Sequence, residues 1–180
     1  MNSQFHIYFG SGKGKTTAAV GLLIRFLGSG GKACLIQFDK GGVGIYHERA
    51  LLKTIPGLTL HPSGLARFDA VAETFRFENE AGDFEEAQRG LKLAREAFRG
   101  GFGLVILDEA LSLPLTGLVS KDEIMDLVSD YESLGKPCEL VMTGHQIWGE
   151  LEAKAGLITE MRKKKHYFDQ KLKARKGIEY

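Results

Sequence analysis

The chain has 180 residues, 43% apolar and 26% charged, with a formal net charge of +1. That length suits one domain with a sizeable core, so residues 1–180 are expected to form a single domain. The near-neutral balance leaves no global field drawing it to nucleic acid or membrane, no apolar run nears the roughly 20 residues of a bilayer span, and the opening "MNSQFHIYFG" does not read as a secretory signal, which together predict a cytoplasmic protein.

In chain order, "FHIYF" (5–9) reads as a strand, and the helical period from Lys15 stops at the glycines 28, 30 and 31. "ACLIQF" (33–38) reads as a buried strand, followed by a glycine-rich loop, a helix near 46–54 and a weak strand near 58–60. Residues 61–79 show no clear period and are expected to form a long functional loop. A helix over 83–98 leads to "FGLVILDE" (102–109), a strand without polar interruption. The segment 120–135 opens with Ser120 and Glu123 at capping-box spacing. "CELVMTG" (138–144) is another strand; a short helix near 147–154 and a basic tail follow. Cys34 and Cys138 sit inside apolar runs and read as buried free thiols. Apolar strands alternating with helices predict a parallel sheet covered on both faces. Its ligand site then lies at the carboxyl ends of the strands.

One loop on that rim carries chemistry. "FGSGKGKTTAAVG" (9–21) has the Gly14-Lys15-Thr16 end of a phosphate-binding loop, yet its first glycine, Gly10, falls one place late. A dinucleotide fingerprint does not fit, because its third glycine would fall on Lys15. A strand-to-helix turn of this kind aims backbone N–H groups and a helix dipole at an anion. The phosphates of a nucleotide, ATP by the resemblance given below, are therefore expected to contact Gly10, Ser11, Gly12, Lys13, Gly14, Lys15, Thr16 and Thr17. Lys15, expected on a solvent-facing rim, would reach the phosphates, and the Thr16 hydroxyl would ligate Mg²⁺. "LVILDE" supplies the acidic partner, Asp108 and Glu109 at a strand tip, as in a Walker B strand.

With these motifs in hand, the sequence resembles the P-loop type of ATP:corrinoid (cob(I)alamin) adenosyltransferase from about Ile7 to Tyr180. The family's loop, likewise one residue short, reads G-N-G-K-G-K-T-T against "GSGKGKTT" here. Its Q-F-x-K-G matches "QFDKG" (37–41), its F-T-W-E-T loosely fits "FRFEN" (75–79), and its ending matches "KHYFDQKLKARKGIEY". The resemblance implies a RecA-like P-loop α/β fold with a mostly parallel central sheet and helices on both faces. It implies that cobalt(I) of a corrinoid attacks C5′ of ATP and triphosphate leaves. Lys15, Thr16 and Glu109 would be the catalytic residues, and Thr16, Asp108 and Glu109 would hold Mg²⁺. Phe75 and Phe77 would pack under the corrin, favouring four-coordinate cobalt(II), which accepts an electron more readily; by period alone both could be core. An electron donor of the flavin reductase class and a homodimer are further implications.

The sequence departs from the family at Ser11 (for Asn), Phe77 (for Trp), Asn79 (for Thr) and His145 (for Arg). The family's N-terminal extension has no counterpart, since six residues precede Ile7. The eight basic residues between 162 and 176 read as a solvated tail, with Lys165 as the member expected to meet triphosphate or corrinoid. The five histidines lack metal-ligand spacing, and Trp148 reads as core or dimer interface. Two other readings stand: a RecA-like ATPase coupling hydrolysis to motion, on nucleic acid through the basic tail, and a carrier that binds without turnover.

Overall fold

The computed structural model describes residues 4–42, 46–69, 74–172 and 174–179; for residues 68, 69, 74, 75 and 168 only the backbone is described. Six parallel strands form the central sheet in the order β3-β2-β6-β7-β1-β8. They are β1 (Phe5–Phe9), β2 (Ala33–Phe38), β3 (Leu58–Ser63), β6 (Leu104–Asp108), β7 (Glu139–Gly144) and β8 (Leu157–Glu160). Between them run α1 (Lys15–Gly28), α2 (Glu48–Leu52), α3 (Ala81–Arg99), α4 (Leu113–Thr116), α5 (Lys121–Ser133) and α6 (Gly149–Lys154). The short strands β4 (Phe68–Asp69) and β5 (Thr74–Phe75) pair antiparallel outside the sheet.

Both faces of the sheet are dry. Along β6, Leu104 and Ile106 pack into one apolar cluster with Leu23 and Leu27 of α1, whereas Val105 and Leu107 pack into the other with Leu91 of α3 and Leu127 of α5. All five β6 residues are buried, as are all six of β2. A strand buried on both faces has no polar alternation, which is why these two were legible as apolar runs, broken only by Gln37 and ended by Asp108. Helix α5 starts where its capping box predicts: Glu123 N–H donates to Ser120 Oγ at 3.1 Å, and Ser120 N–H to Glu123 Oε2 at 2.8 Å. Trp148, Cys34 and Cys138 are all buried, and burial pushes each thiol up to about 12. Among the described residues no helix is long and apolar enough to cross a membrane.

The region expected to be one long loop is more ordered than its sequence suggested. Strand β3 continues through His61 and Pro62 to Ser63, and β4 and β5 form a small hairpin. Proline is tolerated there because β3 is an edge strand that needs no donor on its outer side. Arg67 ties this region to the sheet: its Nε donates to Asp39 Oδ1 at 2.6 Å, and another guanidinium N–H donates to Asn79 Oδ1 at 2.9 Å. Asn79 in turn donates to the Thr116 carbonyl at 2.7 Å. The amide at 79 therefore makes contacts at both ends.

Candidate functional site

The parallel register brings three strand ends to one rim. Strand β1 feeds the glycine-rich loop, β6 ends at Asp108, and β7 lies between them. Gly10 and Gly14 have φ of +116° and +115°, in the region that disfavours residues with a Cβ. A Cβ on Gly10 or Gly12 would meet the Met161 carbonyl oxygen at 2.5 or 2.6 Å. The loop is thus pressed against the chain just after β8, and Gly12 N–H donates to that same carbonyl at 2.6 Å.

Lys15 corrects an expectation. It is buried, 7% exposed, not on a solvent-facing rim. Its ammonium turns back into its own loop and donates to the carbonyls of Gly10 at 2.8 Å and Gly12 at 2.9 Å. Burial pulls its pKa below the ordinary lysine value, against the pull of the Glu109 and Asp108 carboxylates. The side chain thereby braces the turn, and its positive charge stays within the cleft it helps line.

Asp108, wholly buried, is the hub of the rim. Its Oδ1 accepts from the Thr16 hydroxyl at 2.9 Å and from the Thr143 hydroxyl at 2.7 Å. Its Oδ2 accepts from the Lys40 ammonium at 2.5 Å. Lys40 also donates to Thr16 Oγ1 at 3.0 Å. Burial works against the Lys40 charge, yet Asp108 and Glu109 outweigh it and hold its pKa above the ordinary value. Behind this cluster Arg49 donates to Gln37 Oε1 at 2.7 Å and to the Lys40 carbonyl at 2.5 Å. Glu109 follows with φ of +63°, a conformation that costs a non-glycine residue energy. Its N–H donates to Thr143 Oγ1 at 2.9 Å, and its Oε2 accepts from Ser112 Oγ at 2.6 Å. Here hydroxyl and carboxylate oxygens converge with a cation already between them, a donor set suited to a hard divalent ion. Among the described residues no cluster of three or more His, Cys, Asp or Glu could hold a metal alone.

These groups face a cleft of about 560 Å³ lined by Lys13, Lys15, Thr16, Thr17, Lys40 and Glu109, among others, and bounded on its far side by residues 177–179. The described basic residues of the tail are exposed, as expected of a solvated stretch, yet the tail is tied to the loop by other residues. Lys13 donates to Tyr167 Oη at 2.8 Å, to the Ile178 carbonyl at 2.9 Å and to Glu179 Oε1 at 2.6 Å. Arg175, Lys13 and the Tyr167 hydroxyl hold the Glu179 carboxyl far below the usual carboxylate range. The expected tail contact, Lys165, is exposed, whereas Tyr167 and Glu179, not anticipated, reach the loop. Ser11 and His145 are exposed beside the rim, and His145 N–H donates to Ser112 Oγ at 3.1 Å. Phe77 is 84% exposed and so is not core; the Phe75 side chain lies outside the described residues.

A glycine-rich strand-to-helix loop beside a buried strand-tip acid, on the carboxyl rim of a parallel sheet, defines an α/β fold consistent with a RecA-like P-loop domain. Comparison with known proteins narrows the class. The family described as ATP:corrinoid adenosyltransferase BtuR/CobO/CobP matches residues 2–180. The chain belongs to that family and is a transferase. It is 27% identical over 175 residues to a corrinoid adenosyltransferase of Pseudomonas aeruginosa, covering 97% of this chain and 82% of that protein. It is 29% identical over 182 residues to the corrinoid adenosyltransferase CobA of Salmonella typhimurium, covering 97% and 84%. An uncharacterized protein of Nostoc is 32% identical over 179 residues, which span 92% of this chain and 45% of that protein.

Proposed function

We propose that this chain, as one cytoplasmic domain, transfers the 5′-deoxyadenosyl group of ATP to the cobalt(I) of a corrinoid and releases intact triphosphate. The observation that carries the reading is the pairing of Thr16 with Asp108 at 2.9 Å beside the glycine loop, in a member of the corrinoid adenosyltransferase family. Cobalt(I) supplies the electron pair for the new Co–C5′ bond, and the C5′–O electrons leave with triphosphate. No proton moves, so no protein base is needed, and the protein's contribution is positioning and charge stabilisation. Lys13, Lys15 and the amides of Ser11 and of Lys13 to Thr17 hold the triphosphate, while the Gly10 and Gly12 amides, donated to the Gly144 and Met161 carbonyls, fix the shape of the loop. Thr16, Asp108 and Glu109 hold Mg²⁺, which when bound neutralises charge on the leaving group. The electron that makes cobalt(I) comes from a donor of the flavin reductase class, and the working unit is a homodimer. In a reaction with chemically reduced corrinoid, ATP consumption should match adenosylated corrinoid one for one and stop without corrinoid. Corrinoid-independent ADP formation would instead establish the ATPase, and binding without turnover the carrier.

Phe77 and Phe75 serve the corrinoid by excluding water and a lower axial ligand. Because Phe77 is exposed, Phe77→Ala should leave the melting temperature near its wild-type value. It should spare the reaction begun from preformed cobalt(I) and slow the one begun from cobalt(II) with a weak reductant. The ratio of the two rates is the readout; an unchanged ratio removes Phe77 from the corrinoid's path.

A further inference from the structure

The geometry points to Lys40 as an internal counter-cation that occupies the divalent-metal position of the Thr16–Asp108 pair until nucleotide and metal enter together. It rests on the reading of that pair as a metal site. The Lys40 Nζ lies 2.5 Å from Asp108 Oδ2 and 3.0 Å from Thr16 Oγ1, so it takes one oxygen from each group expected to face the ion. The Asp108 side chain is wholly shielded from water and that of Lys40 nearly so. A carboxylate so placed would be strongly penalised without a partner. The ammonium is a compact point charge on a flexible four-carbon stem, able to fill a cation site and to leave it.

Two positive ions cannot share these oxygens, because like charges at contact distance in a shielded site repel strongly. Metal entry therefore requires the ammonium to move. Its backbone is pinned by Arg49, which donates to the Lys40 carbonyl at 2.5 Å, so the side chain does the moving. Lys40 lines the same cleft as Lys13, Lys15 and Thr17. The displaced ammonium thus swings toward the triphosphate and joins the cations around it. Three consequences follow from one residue: Asp108 stays compensated in the empty protein, free divalent ion is kept out, and a cation reaches the leaving group only when the metal is in place.

The test is Mn²⁺ binding to nucleotide-free protein, read by electron paramagnetic resonance, for wild type, Lys40→Met and Lys40→Gln. Removing a like charge at contact distance should tighten Mn²⁺ binding at least roughly tenfold. Adding Mn²⁺ should also raise the melting temperature of each variant and leave that of wild type in place. Asp108→Asn in the Lys40→Met background should abolish the new binding, which locates it. Equal Mn²⁺ affinity in variants and wild type overturns the assignment. So does wild-type protein that binds Mn²⁺ as tightly without ATP as with it, an arm that holds even if neither variant folds. No corrinoid and no turnover enter the measurement. A failed adenosyl transfer would therefore leave this result standing, and a failed Mn²⁺ result beside normal transfer would remove Lys40 alone.

Discussion

Lys15→Ala is expected to lower adenosyl transfer by at least about a hundredfold, the scale of losing one charged contact to a developing anion. The structure adds a second reason. The Lys15 ammonium bonds the carbonyls of Gly10 and Gly12, so its loss also slackens the turn that aims the loop amides. The two effects separate on measurement. A slackened turn weakens ATP binding and turnover together, whereas a lost transition-state contact lowers kcat with little change in ATP affinity. The pairing of kcat with a nucleotide titration distinguishes them, and near-normal turnover would remove Lys15 from the reaction.

Asp108→Ala should have the larger structural effect. It removes the acceptor of Thr16, Thr143 and Lys40 at once and leaves the Lys40 ammonium buried without its carboxylate. Breaking one side of a buried pair costs about 3–5 kcal/mol, which should appear in urea denaturation as a lower midpoint with the slope unchanged. Pairing it with Lys40→Met should recover much of the stability, since the unpaired charge goes, while activity stays lost. A double variant no more stable than Asp108→Ala alone would mean that the salt bridge is not what the single change damages.

Much of this arrangement was legible in the sequence, for identifiable reasons. Strands β2 and β6 are buried on both faces and so appear as runs that are apolar but for Gln37 and the terminal Asp108. Ser120 and Glu123 announce the start of α5 through their reciprocal spacing. The glycines around Lys15 and the acid after "LVILD" mark two ends of one rim. What was hidden depends on chain topology or on edges. Strand β8 lies at a sheet edge with Leu157 and Glu160 exposed, so no apolar run betrays it. Thr16 and Asp108 were expected to meet, but that Lys40 lies between them depends on β2 running beside β6 in the sheet. A lysine two residues beyond the carboxyl end of β2, on the predicted ligand rim, was the available signal. Nothing local links Lys13 to Glu179, which meet because the tail folds back. The burial of Lys15 was missed because a charged loop residue is ordinarily solvated, and here the loop's own carbonyls take the place of water.

In the proposed reaction the bond that breaks joins C5′ to the α-phosphate oxygen. Phosphorus NMR of a reaction containing the protein, Mg²⁺, ATP and chemically reduced corrinoid addresses it directly. The expected spectrum shows the resonances of intact triphosphate, growing in step with the adenosylated corrinoid and absent when corrinoid is left out. ADP and inorganic phosphate as the main products, formed equally with or without corrinoid, would contradict it.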